Sequence, residues 1–351
     1  MTSRSLLGLA AAFCSVMVAS ADIKVPDRDS AIRHAQVWSP VDVAAYDFKA
    51  GDGEIAPWTT VACDYADKKY GGTSPKFGCT LAPGEEVKVK YGQDNGEVYG
   101  GVASTRLLKA LGFGADSYYP VSIDCRGCPK KLGGTPAGSN VSHFDVAAIE
   151  KHMKGKSVAT NKGKEGWAWS ELDLVNPSAG GAPVAQRDAL KLLAVFIQHT
   201  DNKTEQQRLL CTGKSTPTDP EPCDKSFMMV HDVGQTWGKA NTFNHGTISS
   251  VNWQNWSTVP VWKDERQCIG HLSKSFTGSL GDPRISEAGR KFLADLLIQL
   301  TDAQLHDLFT VAHFAQGPLR MHGPAGKDTV EAWVEVFKKR RDEIVRVHCP
   351  S

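Results

Sequence analysis

The spacing of apolar positions changes along the chain from a period of two to a period near 3.6, and each change predicts an element. Gly71 to Gly78 reads as a glycine-bearing turn, and Cys79-Thr80-Leu81 and Val87-Lys88-Val89-Lys90-Tyr91 read as short strands joined at Pro83-Gly84. Val98, Val102, Leu107, Leu108 and Leu111 recur at helical spacing and stop before Gly112, a residue suited to capping a helix end. Tyr118 to Ile123 predicts a further strand. Asp188 to His199 carries a wide apolar face of Ala189, Leu192, Leu193, Val195 and Phe196, which predicts a core helix. Phe227-Met228-Met229-Val230 predicts a short buried strand, and helices are predicted at 286–300, 302–313 and 329–345. Residues 22–60 and 235–265 lack a period and read as irregular, while 140–164 is polar with room for one short helix.

Composition places this pattern in an ordinary folded protein. The 351 residues are 41% hydrophobic and 23% charged, a length that allows two domains or lobes. Forty Lys and Arg against thirty-nine Asp and Glu leave a net charge of +1, without blocks of like charge. No electrostatic footprint for nucleic acid or anionic lipid results. At the start, Arg4, the apolar run Leu6 to Val18 and Ala19-Ser20-Ala21 have the form of a secretory signal cleaved after Ala21, covering residues 1–21. The expectation is a secreted or periplasmic protein. No later segment approaches roughly 18 uninterrupted apolar residues, so no transmembrane segment is expected.

Export changes the reading of the cysteines. Of nine, Cys14 leaves with the leader, and an even number in an exported chain favours disulfides. Proximity suggests Cys63–Cys79, Cys211–Cys223 and Cys268–Cys349 with Cys125–Cys128 as the remainder, one choice among roughly 105 pairings. Cys125-Arg126-Gly127-Cys128 also fits a redox dithiol or half a zinc site.

Candidate chemistry is spread along the chain in a telling order. A glycine loop containing Gly72 and Gly78 precedes the strand with Lys90, with Lys88 as a fallback on the same strand face; Glu97 opens the next helix. His199-Thr200-Asp201-Asn202-Lys203-Thr204-Glu205-Gln206 follows the core helix, and His231-Asp232-Val233-Gly234 follows an apolar strand. These stations resemble, in the same order, those of the protein-kinase superfamily: the phosphate-covering loop, the strand lysine with its carboxylate, the catalytic loop and D-F-G. The signal, cysteines and sparse motifs are more similar to atypical secreted kinases, such as spore-coat CotH proteins and secretory-pathway kinases. The resemblance implies an α+β, two-lobed kinase-like fold, disulfide-stabilised, with a small β-rich lobe at 61–130 and a larger mainly helical lobe at 131–351, after an irregular N-terminal extension at 22–60. It also implies ATP with Mg²⁺ or Mn²⁺ and an acceptor that is a protein or a small hydroxyl compound. By the same resemblance Asp201 orients or deprotonates the acceptor hydroxyl, and Lys203 neutralises the transferred phosphoryl group. Lys90 with Glu97, under Gly72 and Gly78, holds the nucleotide, and Asp232 and Gln206 hold the metal.

The chain departs from that pattern in specific places. Gln206 stands where Asn is expected, Thr200 replaces Arg, and Glu97 lies unusually near Lys90 in sequence. The alternative to phosphotransfer is a non-catalytic pseudokinase, or an extracellular glycan- or protein-binding module that uses Trp237, Trp253, Trp256 and Trp262 of the Trp-rich segment 237–262. Transfer of AMP in place of phosphate is a third possibility. His199 is expected to be structural, bonded to nearby backbone.

Overall fold

A computed structural model describes residues 25–129, 138–160, 162–213, 223, 225–239, 250–315 and 329–350. The leader at 1–21 and the segment 214–222 lie outside the described residues. The architecture is mixed α+β, built around a five-stranded barrel. Strands β1 (Thr60–Ala66), β2 (Lys76–Leu81), β3 (Glu85–Tyr91), β4 (Ser117–Arg126) and β5 (Val141–Lys151) close in the order β1-β2-β3-β5-β4. β4 returns to β1 in parallel, and the other neighbours are antiparallel. Because successive side chains alternate across a strand, Val87 and Val89 enter the barrel core beside Phe77, Val121, Ile123 and Ile149. Lys88 and Lys90 take the opposite parity, towards helix α2 and the cleft described below.

Helix α1 (Val25–His34) precedes the barrel, where an irregular segment was expected, and Pro26 falls in its first turn, a position that tolerates proline. Helix α2 (Gly96–Ala110) follows β3 after a four-residue connection and packs on β4, with nearly every side chain buried. Its close approach depends on glycine: a Cβ on Gly101 would lie 2.5 Å from the Tyr118 ring.

Beyond the barrel, β6 (Lys156–Ser157), β7 (Gln207–Cys211) and β8 (Ser226–Val230) form a second sheet, fed by helix α3 (Val184–Phe196). Helices α4 (Trp253–Thr258), α5 (Glu287–Leu297), α6 (Asp302–Val311) and α7 (Thr329–Arg346) and the small pair β9 (Trp262–Asp264) and β10 (Ile269–Gly270) complete the described chain. α3, α5, α6 and α7 bury their apolar faces in one large core that also receives α2. Arg340 is buried there, and its guanidinium donates to the carbonyls of Phe196, Trp256, Val259 and Val195.

Two expectations need correction. The polar stretch 140–164 contains β5, the strand that joins β3 to β4, and it lies beyond residue 130, so the barrel takes residues from both sides of that boundary. The Trp-rich segment contains α4 and β9 and is not an exposed platform. Trp237 and Trp256 are fully buried, Trp262 is 3% exposed and Trp253 packs against the core while its indole N–H donates to the Ala332 carbonyl. Indoles enclosed in this way are not free to stack on a sugar. The cysteines agree with expectation: Cys125–Cys128 is a disulfide, as are Cys63–Cys79, Cys211–Cys223 and Cys268–Cys349, so Cys125 and Cys128 offer no thiolates to zinc in this state. No helix among the described residues is long and apolar enough to cross a membrane.

Candidate functional site

Strand parity carries Lys90 away from the barrel core and against the start of α2, and the fold must then offset the cost of enclosing an ammonium group. Lys90 is 0% exposed. Its Nζ lies 2.7 Å from Glu97 Oε2 and 2.5 Å from Asp232 Oδ1. Burial alone would depress the lysine, but Asp232, Glu97 and Glu150 reverse this and raise it, so it stays charged. Glu97 is fixed from several sides. Asn95 caps α2 by accepting from the Glu97 N–H, Ser74 Oγ donates to Oε2 at 2.9 Å, and Gln235 Nε2 donates to Oε1 at 3.2 Å.

Asp232 comes from a different part of the chain. β8 ends at Val230, and Asp232 adopts φ +48, a left-handed conformation that aspartate tolerates better than most residues. The glycine of Asp-Val-Gly has a direct steric role, since a Cβ on Gly234 would lie 2.7 Å from Glu97 Cβ. Burial alone would raise the Asp232 carboxyl, but Lys90, Lys88 and His231 hold it well below the usual carboxylate range. The side chain keeps 25% exposure, on the cleft side.

The loop after α3 supplies the facing wall. Asn202 locks it: its Nδ2 donates to the carbonyls of His199 and Leu280 and its Oδ1 accepts from the Leu280 N–H. Asp201 receives Gln206 Nε2 at 2.7 Å, Ser275 Oγ at 3.2 Å and the Lys203 ammonium at 3.1 Å. Gln206 Oε1 meanwhile accepts from the Lys203 N–H at 3.0 Å. His199 is buried, but neither ring nitrogen has a partner among the described residues, contrary to the expected backbone bond. Burial lowers it to about 4, against the opposing pull of Asp201 and Asp232.

Between these walls lies a cleft of about 580 Å³, within the roughly 300–1,000 Å³ typical of small-molecule sites. Of the residues singled out from the sequence, Gly72, Glu97, Asp201, Lys203, Gln206 and Asp232 line it. Lys90 sits immediately behind Glu97 and Asp232. Gly72 needs its glycine, with φ +80. Gly78 lies within β2, where a Cβ would come 2.8 Å from the Ala66 carbonyl, and is not part of the cleft lining. Lys88 reaches the cleft wall but pairs with Glu150 at 2.6 Å.

The cleft also contains groups that the motif order did not single out: Lys76, Ser74, Glu205 and Gln235. Lys76 is the most informative. It stands at the end of the glycine loop, where burial and the neighbouring Lys90 lower its ammonium below the usual range. Three lysines and four carboxylates therefore face one another across the cleft, at Lys76, Lys88 and Lys203 and at Glu97, Asp201, Glu205 and Asp232. Such a surface can hold an anion bridged to a cation.

No family model matches the chain, and no curated protein sequence matches it. Among solved structures, it is similar to the Helicobacter pylori proinflammatory kinase CtkA at 11% identity, over 82% of this chain and 93% of that one, with a TM-score of 0.41. A likeness that loose decides neither fold nor activity, and the functional reading rests on the geometry of the cleft.

Proposed function

We propose that the protein is an exported ATP-dependent phosphotransferase with a kinase-like division into a small β-rich lobe, which holds the barrel, and a larger mainly helical lobe. The observation that carries this reading is the enclosed Lys90 clamped by Glu97 and Asp232, with both carboxylates lining the same cleft as Asp201. A buried lysine between two carboxylates holds both in register with the glycine loop. In this reading the triphosphate lies beneath Gly72 and meets the ammonium groups of Lys76, Lys88 and Lys203. Asp201 accepts the proton of the acceptor hydroxyl as its oxygen bonds to the γ-phosphorus and the bond to the ADP oxygen breaks.

The oxygen donors fit a hard divalent cation. Asp232 would hold Mg²⁺ or Mn²⁺ with Gln206, although the Gln206 amide oxygen already accepts one hydrogen bond, leaving a single lone pair for a metal. The ion would neutralise charge on the phosphates; orientation and proton transfer belong to the side chains. The acceptor would be a protein or a small hydroxyl compound.

The test is thermal unfolding of oxidised protein 22–351 with and without millimolar ATP and Mg²⁺ or Mn²⁺, beside Asp232→Ala. A ligand at about 100 times its dissociation constant stabilises by about 2.7 kcal/mol, a rise of roughly 2–4 °C or more for a chain of this size. The rise should need metal and vanish in Asp232→Ala. No shift with any nucleotide or metal would remove the reading. A pseudokinase is favoured by one specific observation, the use of Gln206 to hold Asp201 rather than face the cleft with a free amide oxygen. It predicts the same shift with no label passed from γ-labelled ATP to any acceptor. Transfer of AMP would appear as a different mass added to the acceptor.

A further inference from the structure

Behind the cleft, where the barrel meets β8, four side chains unused by the proposed chemistry converge. The parallel bridge Ala115↔Val230 sets their successors, Asp116 and His231, side by side. Glu150 and His152 stand two residues apart at the end of β5, on one face by strand parity. Asp116 and Glu150 are buried at 1% and 0%, His231 is 11% exposed and His152 is 47% exposed.

We infer that Asp116, Glu150, His152 and His231 form a binding site for a borderline divalent transition-metal ion, zinc or its like, distinct from any ion held with nucleotide. One ligand atom from each residue lies within 4.8 Å of all the others. Asp116 Oδ2 is 2.6 Å from His231 Nδ1 and 2.9 Å from His152 Nδ1, and Glu150 Oε1 is 3.6 Å and 3.9 Å from the same nitrogens. A tetrahedral zinc site with bonds of roughly 2.0–2.1 Å has edges of about 3.3–3.4 Å. Of these four edges the two to Asp116 are shorter and the two to Glu150 longer than that value, so Asp116 has to draw back and Glu150 to close in by well under about 1 Å each for the polyhedron to form.

The donor set selects the ion class. Two imidazole nitrogens and two carboxylate oxygens suit Zn²⁺ or Co²⁺, whereas Mg²⁺ and Ca²⁺ prefer six or more oxygens. The outer contacts needed to orient the carboxylates are present. Tyr118 Oη donates to Glu150 Oε2 at 2.5 Å, and the Met153 N–H donates to Asp116 Oδ1 at 2.8 Å. Each carboxylate thus spends one oxygen on protein and turns the other inward. Glu150 Oε1 is buried and accepts no aligned hydrogen bond. Its competitor is Lys88, whose ammonium lies 2.6 Å away as an ion pair and is 12% exposed, so it can swing towards the cleft when a metal enters. Without metal, the Nδ1–H groups of both histidines donate to Asp116 Oδ2, and Arg208 Nη2 lies 3.5 Å from His152 Nε2; with metal, the ring protons move to Nε2, Arg208 gives up that long contact, and both Nδ1 lone pairs point inward. The half-exposed His152 provides the entry path.

The site does not rest on the phosphotransferase reading, and its test contains no nucleotide. Oxidised protein 22–351, stripped with chelator, is titrated with Co²⁺ and then with Zn²⁺. The expected result is one equivalent of Co²⁺ with the intense visible absorption of a tetrahedral centre, displaced by one equivalent of Zn²⁺. His152→Ala should weaken Co²⁺ binding by more than the roughly 10–100-fold that loss of an outer contact costs. Tyr118→Phe should fall within that range. His143→Gln, at an exposed histidine between Asp124 and Asp145, should leave the signal intact. Because His152 is half exposed and His231 still donates to Asp116, its variant should keep a single cooperative melt without metal, at a modestly lower midpoint, which separates loss of a ligand from loss of the fold. An octahedral spectrum alone, no stoichiometric binding, or equal binding by His152→Ala would overturn the assignment.

Discussion

Lys90 can be enclosed without losing its charge because two carboxylates reach it from different elements. Removing the ammonium leaves Glu97 and Asp232 facing each other with no cation between them, so Lys90→Met should cost about 3 kcal/mol in denaturant unfolding. Its nucleotide-dependent thermal shift should fall as well, since the same contact holds Asp232 in register. His199 sets a second expectation at this scale. Its folded value of about 4 lies below the usual 6.5, so the unfolded chain binds the extra proton first. Its contribution to stability is complete above about pH 6.5 and is lost as pH falls towards 4. The loss amounts to about 3 kcal/mol. His199→Phe should flatten that part of the stability profile, measured as the denaturant midpoint between pH 7 and pH 4.

At the scale of elements, glycines decide how closely α2 approaches the Asp232 turn. A Cβ on Gly100 would lie 2.5 Å from the Gly234 carbonyl and 3.2 Å from Thr236 Oγ1. Gly100→Ala should therefore push α2 off the turn, destabilise the protein by about 1–3 kcal/mol and weaken nucleotide binding more than an equally destabilising change elsewhere. Thermal melts with and without ATP and metal separate the two effects. Helices α2, α3, α5, α6 and α7 were legible because their apolar residues keep one period over several turns. β5 was not. Phe144 and Val146 alternate with His143 and Asp145, and Ala147-Ala148 adds residues of weak strand preference, so the signal was diluted although Ala147 to Glu150 are buried. What makes β5 a strand is pairing on both sides, with Lys88 to Tyr91 and with Ser117 to Arg126.

Across the whole molecule, long-range ties hold the C-terminal tail to the core. Cys268–Cys349 spans 81 residues, and the Cys349 N–H donates to Glu287, which in turn holds Arg290. Replacing both cysteines by alanine should cost about 4 kcal/mol, read as a lower denaturant midpoint with a somewhat steeper slope, because the unfolded chain loses a cross-link and exposes more surface. The four disulfides seen are the pairs that proximity suggested. Three of them are local closures, Cys125–Cys128 being the remainder once the others were paired, and the long one anchors the tail.

The order of the cleft's pieces was readable in the chain because each is a short local signal: a glycine turn, a lysine on an alternating strand, an Asp after a core helix, an Asp-Val-Gly after an apolar run. Convergence was not readable. Lys90 meets Asp232 across 142 residues, and Asp116 meets His231 across 115, distances over which no periodicity carries information. Register and a single bridge at Ala115↔Val230 decide those meetings. Likewise, the four tryptophans look alike in sequence, and only packing against α6 and α7 removed them from the surface. Local propensity depends on neighbours within a few residues, whereas a buried charge needs its partners brought from afar; the sequence alone therefore determined the strongly periodic helices, the strands around Lys90, Tyr118 and Phe227 and the order of the polar residues, and tertiary pairing decided β5 and which of those residues face one another.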